Sequence, residues 1–127
     1  MDKIIDPNRK FNVIVNPQNF QTHSEEYIIN LILQLVTEWY KVDDVQMLAS
    51  KSRQQLYVPA RHVSIALIRR YTRYSLKAIG ELYKRDHTSV VHARDTLKDA
   101  CDTQDPILYP AWKYVTDIMS DFPIINH

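Results

Sequence analysis

The chain has 127 residues, with 16 Lys and Arg against 15 Asp and Glu and a formal net charge of +1. That length suits one domain with short extensions, and the near-zero sum speaks against a uniformly basic histone-like protein or an acidic mimic of nucleic acid. Hydrophobic residues make up 45%, enough for a core and too many for wholesale disorder, while the single glycine, Gly80, rules out a Gly-rich phosphate loop or dinucleotide fingerprint.

Residues 1–23 hold Pro7, Pro17 and an imperfect alternation around Phe11, Val13 and Val15. They read as an N-terminal arm or a short strand. Ser24 before Glu25 and Glu26 is an N-cap with acids in the first turn. Ile28, Leu31, Ile32, Leu35, Val36 and Trp39 recur at helical spacing. This predicts a helix over 24–40. Asp43 or Asp44 caps a short helix ending near Ser50, and 51–58 reads as a basic, polar loop. Pro59 suits the first turn of the next helix, whose buried stripe is Val63, Ala66, Leu67 and Tyr71.

Ser75 caps a short helix to about Tyr83, and a tight Lys84-Arg85 turn leads to Asp86, a good N-cap. In the helix after it Val90, Ala93, Leu97 and Ala100 share one face. Asp105-Pro106 breaks the chain, and a last helix over about 110–121 carries Leu108, Trp112, Val115, Met119 and Phe122 on one side, ending at Pro123. The sum is an all-α bundle of five to six helices. Its expected organisation is an arm over 1–23, a domain over 24–104 and a helical extension over 105–127.

The net charge conceals a segregation. Residues 51–94 hold ten cations against Glu81 and Asp86, a charge of +8, and the flanks carry −7. A basic block of this kind is a footprint for a polyanion, or simply a solvated face.

Two helices joined by a turn of about three residues form a helix-turn-helix pattern. In that motif the first residues of the second helix face the major groove. Here these are Asp86, His87, Thr88 and Ser89, which carry short donors and acceptors for base edges and, on Thr88, a methyl for thymine. Gly80 lies inside the first helix, where glycine costs about 1 kcal/mol against alanine. A close helix crossing without a Cβ is the expected compensation.

Pro59-Ala60-Arg61-His62-Val63-Ser64-Ile65-Ala66-Leu67, Ser75-Leu76-Lys77-Ala78-Ile79-Gly80 and Arg85-Asp86-His87-Thr88-Ser89-Val90-Val91-His92-Ala93 resemble the C-terminal DNA-binding domain (domain IV) of the bacterial replication initiator DnaA. Trp39-Tyr40 and Ser50-Lys51-Ser52-Arg53 also fit, so the resemblance covers about 36–100. It implies a Trp-repressor-like helix-turn-helix fold. It also implies base reading by Arg53 from the minor groove, where a narrow groove attracts arginine, and by Asp86, His87, Thr88 and Ser89 from the major groove. Arg61, Arg69, Ser75 and Lys77 match phosphate or groove-edge contacts. Lys51, Arg73, Arg85 and His92 join them by charge or position.

Departures from the family pattern bear on geometry. Tyr83 is followed by Lys84 alone, where the family usually has two glycines, so the turn is one residue shorter. Ala60 stands where proline is common, and Gln54, Gln55 and Leu56 thin the basic loop. An ATPase module is absent, so no nucleotide-dependent initiator filament is expected of this chain alone.

Other chemistries are weaker. His87 and His92 lie about 140° apart on a helix, a poor metal pair. Asp43 and Asp44 are better caps than catalytic acids, Cys101 is expected in the core, and no His-x-His of a transposase-type metal site occurs. No enzyme activity, metal or cofactor is expected. One cysteine excludes an intrachain disulfide and fits a reducing cytosol. The longest apolar stretch, 28–36, falls far short of the ~20 residues of a membrane span, and Met1–Ile5 lacks the apolar region of a leader.

The expected protein is a stand-alone, cytoplasmic, sequence-specific binder of double-stranded DNA. It acts at a short site like a DnaA box, in replication-origin or transcription control, in a bacterium or a phage-infected host. The alternative is an interaction factor that uses the acidic flanks and the last helix to bind or compete with host replication proteins. An oligomer through 105–127 is compatible with either and required by neither.

Overall fold

The computed structural model describes residues 24–42 and 57–127. Among them are five helices and no strand: α1 (Glu25–Tyr40), α2 (Tyr57–Tyr71), α3 (Leu76–Leu82), α4 (His87–Thr103) and α5 (Tyr109–Ile118). The all-α expectation holds. The arm over 1–23, the short helix expected after Asp43, and Lys51 and Arg53 lie outside the described residues.

Local signals set most of the helix ends. The Ser24 hydroxyl accepts the Tyr27 N–H at 3.1 Å, and the Ser75 hydroxyl accepts the Ala78 N–H at 3.0 Å. Asp86 caps α4 in the same way. Each satisfies one of the donors that a helix start leaves unpaired. With one glycine in the chain, the left-handed positions fall to other residues: Lys41 (φ 57°) ends α1, Gln104 (φ 53°) ends α4, and Lys84 (φ 54°) makes the turn between α3 and α4. Past α4, Asp105 Oδ1 accepts the N–H groups of Ile107 and Leu108 at 2.8 and 3.0 Å, which turns the chain into α5.

α2 is the central helix. It packs on α1 along one side and on α4 along the other, while α3 lies against α4. The stripe Val63, Ala66, Leu67 and Tyr71 is buried, as is Val90, Ala93, Leu97 and Ala100 of α4. α5 seats Ala111 and Val115 in the same core, followed by Met119 and Phe122.

Three expectations need correction, and one side chain departs from its helical face. α2 begins at Tyr57, two residues before Pro59, so Tyr57 and Val58 belong to its first turn and not to the loop. Proline is tolerated there because the N–H it lacks would be unpaired anyway. Trp39, at the helical spacing of the buried α1 residues, is 40% exposed; its ring meets that of Tyr114 at 4.9 Å. α5 stops at Ile118, short of Pro123. The Phe122 N–H bonds the Met119 carbonyl at 2.9 Å, and that turn returns Phe122 to the core. Cys101 is half-buried at the rim of a groove between α2, α4 and α5.

Gly80 has a sharper role than a helix crossing. A Cβ there would stand 2.5 Å from the Arg85 carbonyl oxygen. The close approach is to the backbone of the α3–α4 turn, and that contact sets how the two helices meet.

Candidate nucleic-acid interface

The α3–α4 turn is held from both sides. The Gly80 carbonyl accepts the Arg85 N–H at 2.8 Å, and the Glu81 carbonyl accepts that of Lys84 at 3.2 Å. Beneath it, Tyr83 is buried, and its hydroxyl donates to Ser64 Oγ on α2 at 2.6 Å. Ser64 donates onward to the Arg61 carbonyl at 3.1 Å. Burial pushes the Tyr83 phenol far up, so it stays a neutral donor. The turn thus keeps its shape with no glycine of its own.

At the start of α4, Asp86 Oδ1 accepts the Thr88 N–H at 2.7 Å and the Thr88 hydroxyl at 2.9 Å. His87 Nδ1 lies 3.3 Å from the same oxygen. These bonds, the backbone one first, hold the Asp86 carboxyl below its ordinary range, so it stays ionised. Asp86, His87, Thr88 and Ser89 are all exposed. With Oδ1 occupied, Asp86 keeps its second oxygen for an outside donor. Thr88 has spent its proton inward and presents a methyl group and an acceptor.

Beside this turn lies a polar cleft of about 280 Å³, lined by Arg61, His62, Ile65, Arg85, Thr88, Ser89 and His92. Five expected site residues, Arg61, Arg85, Thr88, Ser89 and His92, therefore meet. Arg61 is only 7% exposed, and burial followed by the nearby Arg85 charge lowers its hold on its proton. His62 is a residue that sequence reasoning missed. Its ring meets that of His92 edge to face at 5.8 Å. Burial, then His92, Arg61 and Arg85, push its pKa down. The available signal was its place next to Arg61 inside the resembling stretch, but nothing local shows that its ring turns toward α4.

The remaining residues spread around this centre. Ser75 and Lys77 are exposed at the start of α3, and Arg73 is exposed just before it, its backbone N–H bonded to the Glu25 carboxylate. Arg69 donates from Nη1 to the Tyr74 carbonyl at 3.0 Å and faces a different groove, shared with Arg94. Among the described residues no group of three or more His, Cys, Asp or Glu is placed to hold a metal ion, and no helix is long and apolar enough to cross a membrane.

A short helix packed on a second, with the second helix's capped first turn turned outward, defines a helix-turn-helix DNA-binding domain. Residues 29–96 match the family model for the bacterial dnaA protein helix-turn-helix, and the chain belongs to that family. It is 30% identical over 95 residues to the chromosomal replication initiator protein DnaA of Desulfatibacillum aliphaticivorans, covering 72% of this chain and 21% of that protein. Against the protein of the same name from Flavobacterium psychrophilum it is 33% identical over 94 residues, covering 73% and 19%. Against that of Porphyromonas gingivalis it is 38% identical over 76 residues, covering 59% and 16%. The chain thus matches about a fifth of the length of these relatives. No solved structure matches it significantly.

Proposed function

We propose that this protein binds a short duplex site resembling a DnaA box, in replication-origin or transcription control, and does so without catalysis. In this reading α4 enters the major groove with Asp86, His87, Thr88 and Ser89 at base edges, and Arg53 reaches the adjacent minor groove. Arg61, Arg85 and His92, with His62 added, take backbone phosphate at the polar cleft. Lys51, Arg69, Arg73, Ser75 and Lys77 extend the backbone contacts.

The observation that carries this reading is the geometry of Asp86. One oxygen fixes the helix start and orients Thr88, while the other is left outward, on an exposed turn braced by Gly80 and Tyr83. A base-reading group gains from such preorganisation, because less freedom is lost on binding. The relatives are named for chromosomal replication initiation, which supports an origin-like target. Selection of bound sequences from random duplex DNA tests the reading. An enriched short motif is expected, and recovery of no motif would refute sequence-specific reading.

A further inference from the structure

On the far side of α4 a second groove, of about 710 Å³, lies between α2, α4, α5 and the C-terminal tail. Its size is that of a small-molecule site. The tail forms a built wall: the Ile125 N–H donates to the Arg70 carbonyl at 2.9 Å, and the His127 ring nitrogen lies 2.7 Å from the Arg69 carbonyl. The floor is Ala66 and Leu97, and Trp112 closes one side. Lys98, on this side, is nine residues from Ser89, which places the two about 180° apart around α4. The groove is therefore separate from the polar cleft that includes Ser89.

Its charge is unbalanced. Arg69, Arg70, Arg94 and Lys98 line it, opposed by Asp102 and the main-chain carboxylate of His127. The neighbouring Arg94 adds to burial in weakening Arg69's hold on its proton. Arg94 does meet Asp95 at 3.3 Å, but both side chains are exposed, and such pairs hold weakly. Arg70 is the most informative residue. Its guanidinium lies 5.3 Å from the centre of the Trp112 ring, yet its Nε is buried with no hydrogen-bond partner among the described residues. A buried cationic donor left unmet is costly, and an anion delivered to the groove would relieve that cost.

We propose that this groove binds a small organic phosphate whose other end is flat or apolar. The phosphate sits among Arg69, Arg70, Arg94 and Lys98, where it meets the unpartnered Arg70 donor, and the apolar end packs on Leu97, Ala66 and Trp112. Four side-chain cations outnumber the Asp102 carboxylate and the main-chain carboxylate of His127, an excess that suits a dianion. The apolar floor and indole wall suit a ring, which neither free phosphate nor the outer face of a duplex backbone supplies. The inference does not depend on the DNA reading, since it concerns the free protein.

Titration of the full chain carrying Trp39→Phe tests it, because Trp112 is then the sole indole. The probes are adenosine 5′-monophosphate and phenyl phosphate, with adenosine and inorganic phosphate as controls. Saturable change in indole emission by at least one ring-bearing phosphate is expected, with a Kd of about 10 μM to 1 mM. Each control should bind at least about tenfold more weakly. Arg94→Gln with Lys98→Gln should weaken the ring-bearing phosphate about tenfold or more, and circular dichroism should show the helices intact. Should that pair unfold the chain, Lys98→Gln alone is expected to weaken binding measurably. The proposal is overturned if neither ring-bearing phosphate saturates, if adenosine or inorganic phosphate binds equally well, if only duplex DNA alters the emission, or if a folded variant binds as the parent does.

Discussion

A Cβ on Gly80 would stand 2.5 Å from the carbonyl oxygen of Arg85, and the Gly80 carbonyl itself accepts the Arg85 N–H at 2.8 Å. The backbone of α3 and the backbone of the turn are therefore in direct contact at the one residue without a side chain. Lys84 meets the positive φ of this turn; Gly80 provides the room.

Gly80→Ala should accordingly destabilise the fold. Alanine gains about 1 kcal/mol in helix propensity, but the obstacle is a backbone carbonyl that no rotamer change can move, and overpacking of this kind costs about 1–3 kcal/mol. Urea unfolding should show a lower midpoint. Wild-type stability or better would mean that the turn can shift freely.

Tyr83 and Ser64 form the second brace. Tyr83→Phe and Ser64→Ala should each cost about 1 kcal/mol. The double variant should cost less than the sum, because both remove one bond. A strictly additive cycle would show that the 2.6 Å contact contributes nothing to stability.

The DNA contacts divide by type. On a selected duplex, His87→Ala or Thr88→Ala should cost about 1–3 kcal/mol and relax base preference. Arg69→Ala should weaken binding to all sequences alike. With about five phosphates neutralised, log affinity should fall against log salt with a slope of about −4 to −5. A His87 variant that retains full base preference would remove that residue from the reading set.

Acid should destabilise the protein in two separate windows. The pKa of His62 is lowered from 6.5, chiefly by burial and then by His92, Arg61 and Arg85. The native state then binds fewer protons than the unfolded chain, so stability falls as pH drops below 6.5 and levels off below the native value. His62→Gln should abolish this first loss. The Asp86 carboxyl is lowered from 3.8 by its two bonds to Thr88. Its contribution is present above the unfolded value and disappears as pH falls through the native one. Denaturant midpoints between about pH 5 and 7 check the first window. A flat profile there would show that His62 titrates alike in both states.

The residues by themselves determined the parts of this protein whose causes are local. Ser24, Ser75 and Asp86 act within one turn, so their caps are legible as sequence. The stripe Val90, Ala93, Leu97 and Ala100 is legible because helical periodicity places those residues on one face, and the exposed quartet Asp86 to Ser89 follows from the cap. What the tertiary structure alone decided are contacts between distant positions. Tyr83 finds Ser64 across 19 residues, and His127 reaches Arg69 across 58. Trp39 matches the helical period of the core yet ends on Tyr114. His62 turns to His92, and four cations gather with Trp112 around a groove that charge counting could not locate. Periodicity says which face of a helix is apolar; only packing says which neighbour that face meets, and which polar groups are thereby brought together.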